Sequence, residues 1–283
     1  MDKNELLDIE NIELKLLLDA VYMRYGYDFK DYTKSHVKRR VLNRVELNEL
    51  DNITQLTSKV LYNSDVFNEL LMDLSINVTE MFRFPLFFKE LRERVIPILK
   101  TYPTINVWHA GCSTGEEVIS MAILLSEEGL LERSRIYATD INKNVLDIAK
   151  QGIYPISEIR KWTKNYQDAG GNKSFSDYYT AKYDSVIMNP ELYKNIVFLE
   201  HNLTQDKKFI SANLIVCRNV LIYFNKELKE KVLTLFDNSL INGGVLGIGS
   251  KECIKFRSIY DKLDVLSEGA RIFYKKVESG YEK

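Results

Sequence analysis

The chain has 283 residues, of which 45% are hydrophobic and 28% charged, a composition typical of a soluble globular protein of one or two domains. Its formal net charge of −1 excludes nothing, because local clusters can hide in a balanced total. The acidic N-terminus, the lack of an apolar run of about 18 residues and the wide spacing of Cys112, Cys217 and Cys253 exclude a secretory signal, a membrane helix and a disulfide framework. We therefore expect a cytoplasmic protein, and the three scattered histidines predict no metal site.

The first 75 residues have helical patterns. Residues 12–25 repeat apolar side chains at spacings of three and four, which predicts an amphipathic helix. A second helix is expected from about Ser35, and Ile53 to Leu74 also has helical spacing. No strand pattern precedes residue 100. We interpret 1–75 as a helical N-terminal domain and 76–105 as an interdomain linker and helix.

From Asn106 onwards, apolar runs of strand length alternate with helical patterns near 116–128, 142–150 and 226–240. The predicted strands are 106–111, 135–141, 196–202, 213–219 and 243–250. This alternation predicts an α/β domain over 106–283, with a parallel sheet wrapped by helices on both faces. The run 271–277 can close the sheet as an antiparallel edge strand.

The alternation is interrupted at about 153–195, in a segment rich in Tyr and Lys that contains Gly170-Gly171 and Asn189-Pro190. Structureless loops of that length are uncommon in compact domains. We interpret the segment as a small inserted β-subdomain with a short antiparallel sheet.

The first predicted strand leads into a turn, Ala110–Glu117, at the edge of the sheet where ligands bind. Its spacing is not that of dinucleotide-binding loops, and it ends in two carboxylates, Glu116 and Glu117. Carboxylates oppose a pyrophosphate but suit a cationic ligand such as S-adenosylmethionine. The alternative is structural, with Ser113 or Thr114 capping a helix whose dipole the two acids complement.

Asp140 ends the second predicted strand. An acid at this distance from a Gly-rich turn is where dinucleotide-binding sheets bind a ribose diol. Asp140 is also a candidate cap for a helix over 142–150. Together with the preceding turn, the nucleoside interpretation is favoured.

Four motifs then occur in order: Asn77–Arg83 (NVTEMFR), Trp108–Glu117 (WHAGCSTGEE), Ala138–Ile141 (ATDI) and Cys217–Phe224 (CRNVLIYF). They resemble the chemotaxis receptor glutamate O-methyltransferases, the CheR family. The resemblance implies a Rossmann-like S-adenosylmethionine-dependent methyltransferase sheet with an all-helical N-terminal domain and a small inserted β-subdomain. It also implies methyl transfer to glutamate carboxylates of methyl-accepting chemotaxis receptors, which gives methyl esters and S-adenosylhomocysteine without a metal.

The resemblance also implies roles for individual residues. Arg83, Arg218 and Tyr223 are the expected catalytic residues. The expected cofactor-binding residues are Asn77, Thr79, Arg83, Glu117, Asp140, Asn202, Leu203, Arg218 and Asn219.

The second predicted helix has five cations without an intervening acid: Lys34, Lys38, Arg39, Arg40 and Arg44. Such a cluster is either a solvated face or an anion-binding patch. A chemoreceptor's helical bundle displays glutamates, so the resemblance implies that this helix is part of the receptor-binding surface. An alternative interpretation is that the same basic patch binds nucleic acid. We expect a monomer that binds no nucleic acid and does not insert into a membrane.

The chain departs from the family at Gly249-Ser250-Lys251-Glu252, where relatives have a His-Ser pair before the acid. Three alternatives remain at this level. Met188–Glu191 faintly resembles a motif of nucleic-acid amino methyltransferases, but it precedes the strand where that motif belongs. A glutamate of a non-receptor protein and a non-catalytic adenosylmethionine-binding signalling module are the other two.

Overall fold

The computed structural model describes residues 3–75, 78–254 and 256–277. The chain divides into two compact units, which we describe separately. One contains Met1–Asn77 with Tyr223–Lys229, and the other contains Val78–Ile222 with Glu230–Lys283. Within the described ranges, no helix combines the length and the apolarity that crossing a membrane requires.

The first unit is helical. Its helices are α1 (Lys3–Tyr25), α2 (Lys34–Leu47), α3 (Ile53–Tyr62) and α4 (Ser64–Ser75). Helix α1 packs on α3, and α2 packs on α3 and α4. The apolar core includes Leu17, Val21, Val41, Ile53, Leu56, Val60 and Leu70, all fully buried. Burial of these stripes is what holds helices of 10–14 residues, because isolated helices of that length are marginal in water.

The predicted single helical stretch from Ile53 to Leu74 is two helices. Asn52 caps the first by accepting the amide hydrogen of Gln55 at 3.0 Å. Asn63 interrupts the stretch with extended backbone, and its side chain accepts the amide hydrogen of Asp65 at 2.9 Å. Asparagine competes for backbone hydrogen bonds in this way, so it ends one helix and begins the next.

The second unit begins with a short helix, α5 (Pro85–Glu90), which continues through a π-helical turn (Leu91–Val95) into α6 (Ile96–Leu99). The strands and helices that follow are β1 (Ile105–Ala110), α7 (Glu116–Glu127), β2 (Ser134–Asp140), α8 (Lys143–Gln151), β3 (Ile153–Pro155), α9 (Ile159–Asp168), β4 (Tyr179–Lys182), β5 (Ser185–Met188), β6 (Ile196–Glu200), β7 (Ala212–Cys217), α10 (Lys226–Ser239, whose first four residues belong to the helical unit), β8 (Leu240–Ile248), α11 (Arg257–Tyr260), β9 (Leu263–Ser267) and β10 (Ile272–Lys275).

The described strands form a seven-stranded sheet in the order β6-β2-β1-β7-β8-β10-β9. The strands from β6 to β8 are parallel, whereas β10 pairs antiparallel with both β8 and β9. The order reverses between β1 and β7, and the carboxyl ends of strands at such a point form the usual ligand-binding crevice.

The predicted α/β fold class is confirmed, with two differences. Strand β10 is antiparallel, as expected, but it is not the edge strand, because β9 lies beyond it. The inserted subdomain has the antiparallel sheet β3-β5-β4 and also an unpredicted helix, α9. Helix α9 buries Trp162 and Tyr166 in the core of the second unit.

Candidate functional site

The turn after β1 is held against the end of β2. The amides of Gly111 and Cys112 donate to the carbonyl oxygen of Thr139, at 2.8 and 2.9 Å. Gly111 has φ +81°, and a Cβ there would lie 2.5 Å from Cγ2 of Val220. Glycine is therefore required by the conformation and by the close approach of the loop after β7. This turn brings together the carboxyl ends of β1, β2 and β7.

Asp140, at the end of β2, is almost completely buried. Its Oδ2 accepts the amide hydrogen of Ser113 at 2.9 Å, and its Oδ1 accepts that of Asn142 at 3.0 Å. Burial raises the pKa of Asp140 despite these hydrogen bonds. Because a carboxylate has about four acceptor positions, both oxygens can still accept hydroxyl groups. Asn142, not Asp140, caps α8 by accepting the amide hydrogen of Asn144 at 3.0 Å.

The two carboxylates that open α7 have different partners. Glu116 accepts the hydroxyl hydrogen of Thr114 at 2.7 Å, and burial raises its pKa. Glu117 instead pairs with Arg218, which follows β7. The N-cap position of α7 is occupied by Gly115, which has no side chain to cap the helix. Neither Ser113 nor Thr114 therefore acts as the predicted cap.

Glu117 receives hydrogen bonds on both carboxylate oxygens. Nη1 of Arg218 donates to Oε2 at 2.6 Å, and Nδ1 of His109 lies 3.3 Å from Oε1. Burial raises the pKa of Glu117, but the Arg218 charge and the His109 hydrogen bond outweigh it, so the pKa lies below its ordinary value. Glu117 is therefore ionised near neutral pH, and its charge is balanced by a guanidinium.

Arg218 also contacts the segment before α5. Its Nη2 donates to the main-chain carbonyl oxygen of Arg83 at 2.9 Å, and its guanidinium carbon lies 4.2 Å from the centroid of the Phe87 ring. The Arg83 side chain donates to the carbonyl oxygen of Val78 at 2.7 Å. Thr79 is half-buried in the same segment. Asn77, also predicted for the site, lies outside the described residues.

The loop after β6 adjoins the end of β2, because the amide of His201 donates to the carbonyl oxygen of Asp140 at 3.1 Å. Oδ1 of Asn202 accepts the amide and hydroxyl hydrogens of Thr204, at 2.9 and 2.7 Å. Leu203 is buried beside it. These contacts place the predicted pair Asn202–Leu203 next to Asp140 along the sheet edge.

The loop after β7 is organised by the buried carboxylate of Glu252. Oε2 accepts amide hydrogens from Gly249 at 2.5 Å and Asn219 at 3.3 Å, and Oε1 accepts that of Ile222 at 3.3 Å. Asn219 has φ +63°, a left-handed conformation that asparagine tolerates better than most residues. Glu252 thus holds the backbone that carries Arg218 and Asn219.

Tyr223 belongs to the helical unit. Its carbonyl oxygen accepts the amide hydrogen of Thr33 at 2.8 Å, and its ring meets that of His36 edge-on, with 5.7 Å between the centroids. Phe224 forms a β-bridge with Tyr32. The last predicted catalytic residue is therefore anchored to the residues that lead into and begin α2.

The structure brings the side chains of Glu117 and Arg218 and the main-chain carbonyl of Arg83 into one hydrogen-bonded group, whereas the Arg83 side chain donates to Val78 instead. It adds two residues that our sequence analysis did not assign to the site, His109 and Glu252. A signal existed for each. His109 is the one ionisable side chain in the apolar run of β1, and Glu252 is the acid after the fifth strand of the parallel series.

Four buried polar atoms at these strand ends have no hydrogen-bond partner in the described part of the chain: Oγ of Ser113, Nε2 of His109, Nδ1 of His201 and Nε of Arg218. Buried polar atoms are normally paired, so these atoms fit a polar ligand. S-adenosylmethionine has hydroxyl, ammonium and carboxylate groups that match Asp140, Glu117 and the arginines. The fold and these groups are those of the S-adenosylmethionine-dependent methyltransferase class.

Comparison with known protein families supports the methyltransferase class and also identifies one family within it. The family model described as "CheR methyltransferase, SAM binding domain" matches residues 77–268. The model described as "CheR methyltransferase, all-alpha domain" matches residues 12–75. The chain therefore belongs to the CheR methyltransferase family, as the sequence motifs predicted.

Individual relatives align over most of their length. The Pseudomonas putida protein Cher3 is 48% identical over 265 residues, which cover 94% of this chain and 97% of Cher3. The chemotaxis protein methyltransferase of Listeria innocua is 31% identical over 231 residues, 81% of this chain and 85% of that protein. The Salmonella typhimurium chemotaxis protein methyltransferase is 27% identical over 260 residues, 87% and 85% of the two chains.

Proposed function

We propose that this enzyme transfers the methyl group of S-adenosylmethionine to glutamate side chains of chemoreceptors, forming methyl esters. The observation that carries the proposal is the buried group of Arg218, Glu117 and the Arg83 backbone at the sheet's switch point. Family membership and the names of the Listeria and Salmonella relatives support the substrate class.

The proposed cofactor contacts follow from the chemistry of each side chain. Asp140 accepts the ribose hydroxyls, and Asn202 and Leu203 contact the adenine. Glu117 binds the ammonium of the amino-acid end, and arginine suits its carboxylate. Arg83, Arg218 and Asn219 line that end, together with Asn77 and Thr79 from the interdomain segment.

Little acid–base chemistry is required of the protein. A glutamate with a pKa of about 4.3 is already a carboxylate at neutral pH, so the cofactor need only supply an electrophilic methyl group. The protein aligns the carboxylate oxygen and excludes water. A guanidinium can hold a carboxylate through two parallel hydrogen bonds, which is the proposed catalytic role of Arg83 and Arg218. Tyr223 either orients the carboxylate through its hydroxyl or lies against the sulfonium with its ring.

For receptor binding we propose the exposed face of α2. Lys34 and Arg39 are exposed on this helix. Lys38 and Arg44, in contrast, form ion pairs within the helical unit, with Glu10 at 2.7 Å and with Glu69 and Asp73, both at 2.7 Å. The receptor-facing charge is therefore smaller than the five cations of the sequence suggest.

The decisive experiment is methyl transfer from methyl-labelled S-adenosylmethionine to a purified cytoplasmic chemoreceptor fragment from the same host. We expect label on the fragment that is released as methanol in mild alkali, because carboxyl esters hydrolyse in base and methylated amines do not. A fragment whose candidate glutamates are changed to alanine is the matched control.

Label that survives alkali would contradict carboxylate chemistry. If the receptor fragment stays unlabelled but a protein in the host lysate gains alkali-labile label, the substrate is a glutamate of a non-receptor protein. If nothing is labelled although S-adenosylhomocysteine binds, the chain is a non-catalytic binding module.

A further inference from the structure

His109 is a buried ionisable residue in β1, an interior strand of the sheet. It pairs in register with Ala138 on β2 and Val216 on β7, and it is only 1% exposed. Its neighbours in β1, Trp108 and Ala110, are also buried. A polar ring in such a place costs free energy unless it is hydrogen-bonded.

The hydrogen bond of His109 to Glu117 determines which ring nitrogen has the proton. The ion pair with Arg218 keeps the Glu117 carboxylate ionised, and an ionised carboxylate can only accept hydrogen bonds. Nδ1, 3.3 Å from Oε1, must therefore be the donor. The opposite nitrogen, Nε2, is buried without a partner in the described residues.

His109 and Arg218 hold Glu117 from two sides. Arg218 bonds one carboxylate oxygen and His109 the other. A single ion pair leaves a carboxylate free to rotate about its last bond, whereas two donors on different oxygens fix the plane of the group. The orientation of Glu117 thus depends on a residue that belongs to a different element from its charge partner.

We propose that His109 is a positioning residue of the cofactor site, which orients the Glu117 carboxylate toward the ammonium of adenosylmethionine. The proposal rests on the cofactor role proposed above for Glu117. His109 acts through Glu117, so its contribution exists only while Glu117 is a carboxylate.

Calorimetric titration with S-adenosylhomocysteine tests this without any methyl acceptor. His109→Ala should weaken binding about tenfold, the usual effect of losing a hydrogen bond to a charged group. His109→Asn places an amide N–H near the Nδ1 position and should bind within about threefold of wild type. His109→Gln places its amide near the Nε2 position and should bind as weakly as the alanine variant. Circular dichroism confirms that each variant is folded.

A Glu117→Gln background completes the cycle. There, His109→Ala should weaken binding less than threefold further, because no carboxylate remains to be oriented. Equal losses in both backgrounds, or an asparagine variant as weak as glutamine, would make His109 merely structural and overturn the proposal. If Glu117→Gln alone leaves the affinity unchanged, the cofactor role of Glu117 is wrong, which is a separate failure. Should the alanine variant not fold, the asparagine and glutamine pair still decides.

Discussion

Asp140, which we propose binds the cofactor ribose, uses the same two carboxylate oxygens to hold the fold together. By accepting the amides of Ser113 and Asn142, it fixes the turn after β1 to the start of α8. Both bonds come from the backbone, so the carboxylate keeps its orientation whatever side chains surround it. The raised pKa shows that burial of its charge is not fully compensated. Ligand hydroxyls would supply further hydrogen bonds to this charge.

For Asp140→Ala, we expect the binding of S-adenosylhomocysteine to weaken by about 1–3 kcal/mol, since ribose hydroxyls would lie unpaired in a closed site. Asp147→Ala is the control, because Asp147 is an exposed acid on the adjoining helix α8. Isothermal calorimetry measures both affinities, and thermal unfolding checks that each variant is folded. Equal affinity in the two variants would remove Asp140 from the site.

Substitutions of Tyr223 can separate the contribution of its aromatic ring from that of its hydroxyl group. Its main chain is held by Thr33, so a change of side chain should leave the backbone in place. We expect Tyr223→Ala to lower kcat about 100-fold at unchanged S-adenosylhomocysteine affinity, as misplacement of a reacting group does. If Tyr223→Phe loses most of that activity, the hydroxyl orients the carboxylate; if it stays active, the ring shelters the sulfonium. A fully active alanine variant would exclude both roles.

At the scale of elements, α2 has cations that form ion pairs within the helical unit and cations that are exposed to solvent. Arg44 lies between two carboxylates of α4, and the Asp73 hydrogen bond raises its pKa further. Its charge serves packing within the helical unit. Arg39, in contrast, is exposed and forms no ion pair with the described residues.

Reversal of Lys34 and Arg39 to Glu should abolish methylation of a receptor fragment and leave cofactor affinity intact. Raised salt should slow the wild type likewise, because exposed charges are screened over about 8–10 Å at physiological ionic strength. The matched control reverses Lys15 and Lys59, which are exposed on α1 and α3 and give the same change of net charge. Equal activity of both double variants would show α2 to be a solvated face.

The loop after β7 depends on a residue from beyond the next strand, Glu252. Glu252→Gln leaves one acceptor oxygen and places an NH2 group against backbone donors, so we expect the free energy of unfolding to fall by about 1–3 kcal/mol. Urea denaturation measures the loss, with Lys251→Gln, exposed and adjacent, as the control. Similar stability of the two variants would contradict the role of Glu252 as an anchor.

At the scale of the whole molecule, the sequence was sufficient for the α/β class, the helical N-terminal part and the strands of the parallel sheet. Periodicity could not detect the break at Asn63, because both flanking segments bury faces at helical spacing. Strand β9 was missed because it lies at a sheet edge, where Asp264 and Val265 are both exposed and the usual alternation is lost.

The site shows the same limit more sharply. Motifs located Glu117 and Arg218, but their pairing joins residues 101 positions apart and depends on β1 and β7 being neighbours. Local patterns contain no information on such contacts. For the same reason, Glu116 and Glu117 appeared as one acidic pair, whereas in the fold they face different partners.

The helical unit is not one continuous stretch of chain, and this affects how the protein is made. Residues 223–229 complete that unit, where Phe224 bridges Tyr32 and the amide of Asn225 donates to Asp31. During translation, the roughly 150 residues that separate the two parts take about 8–30 s to emerge. The first four helices are therefore synthesised well before the segment that completes their unit. A chain truncated before residue 223 would lack that segment altogether.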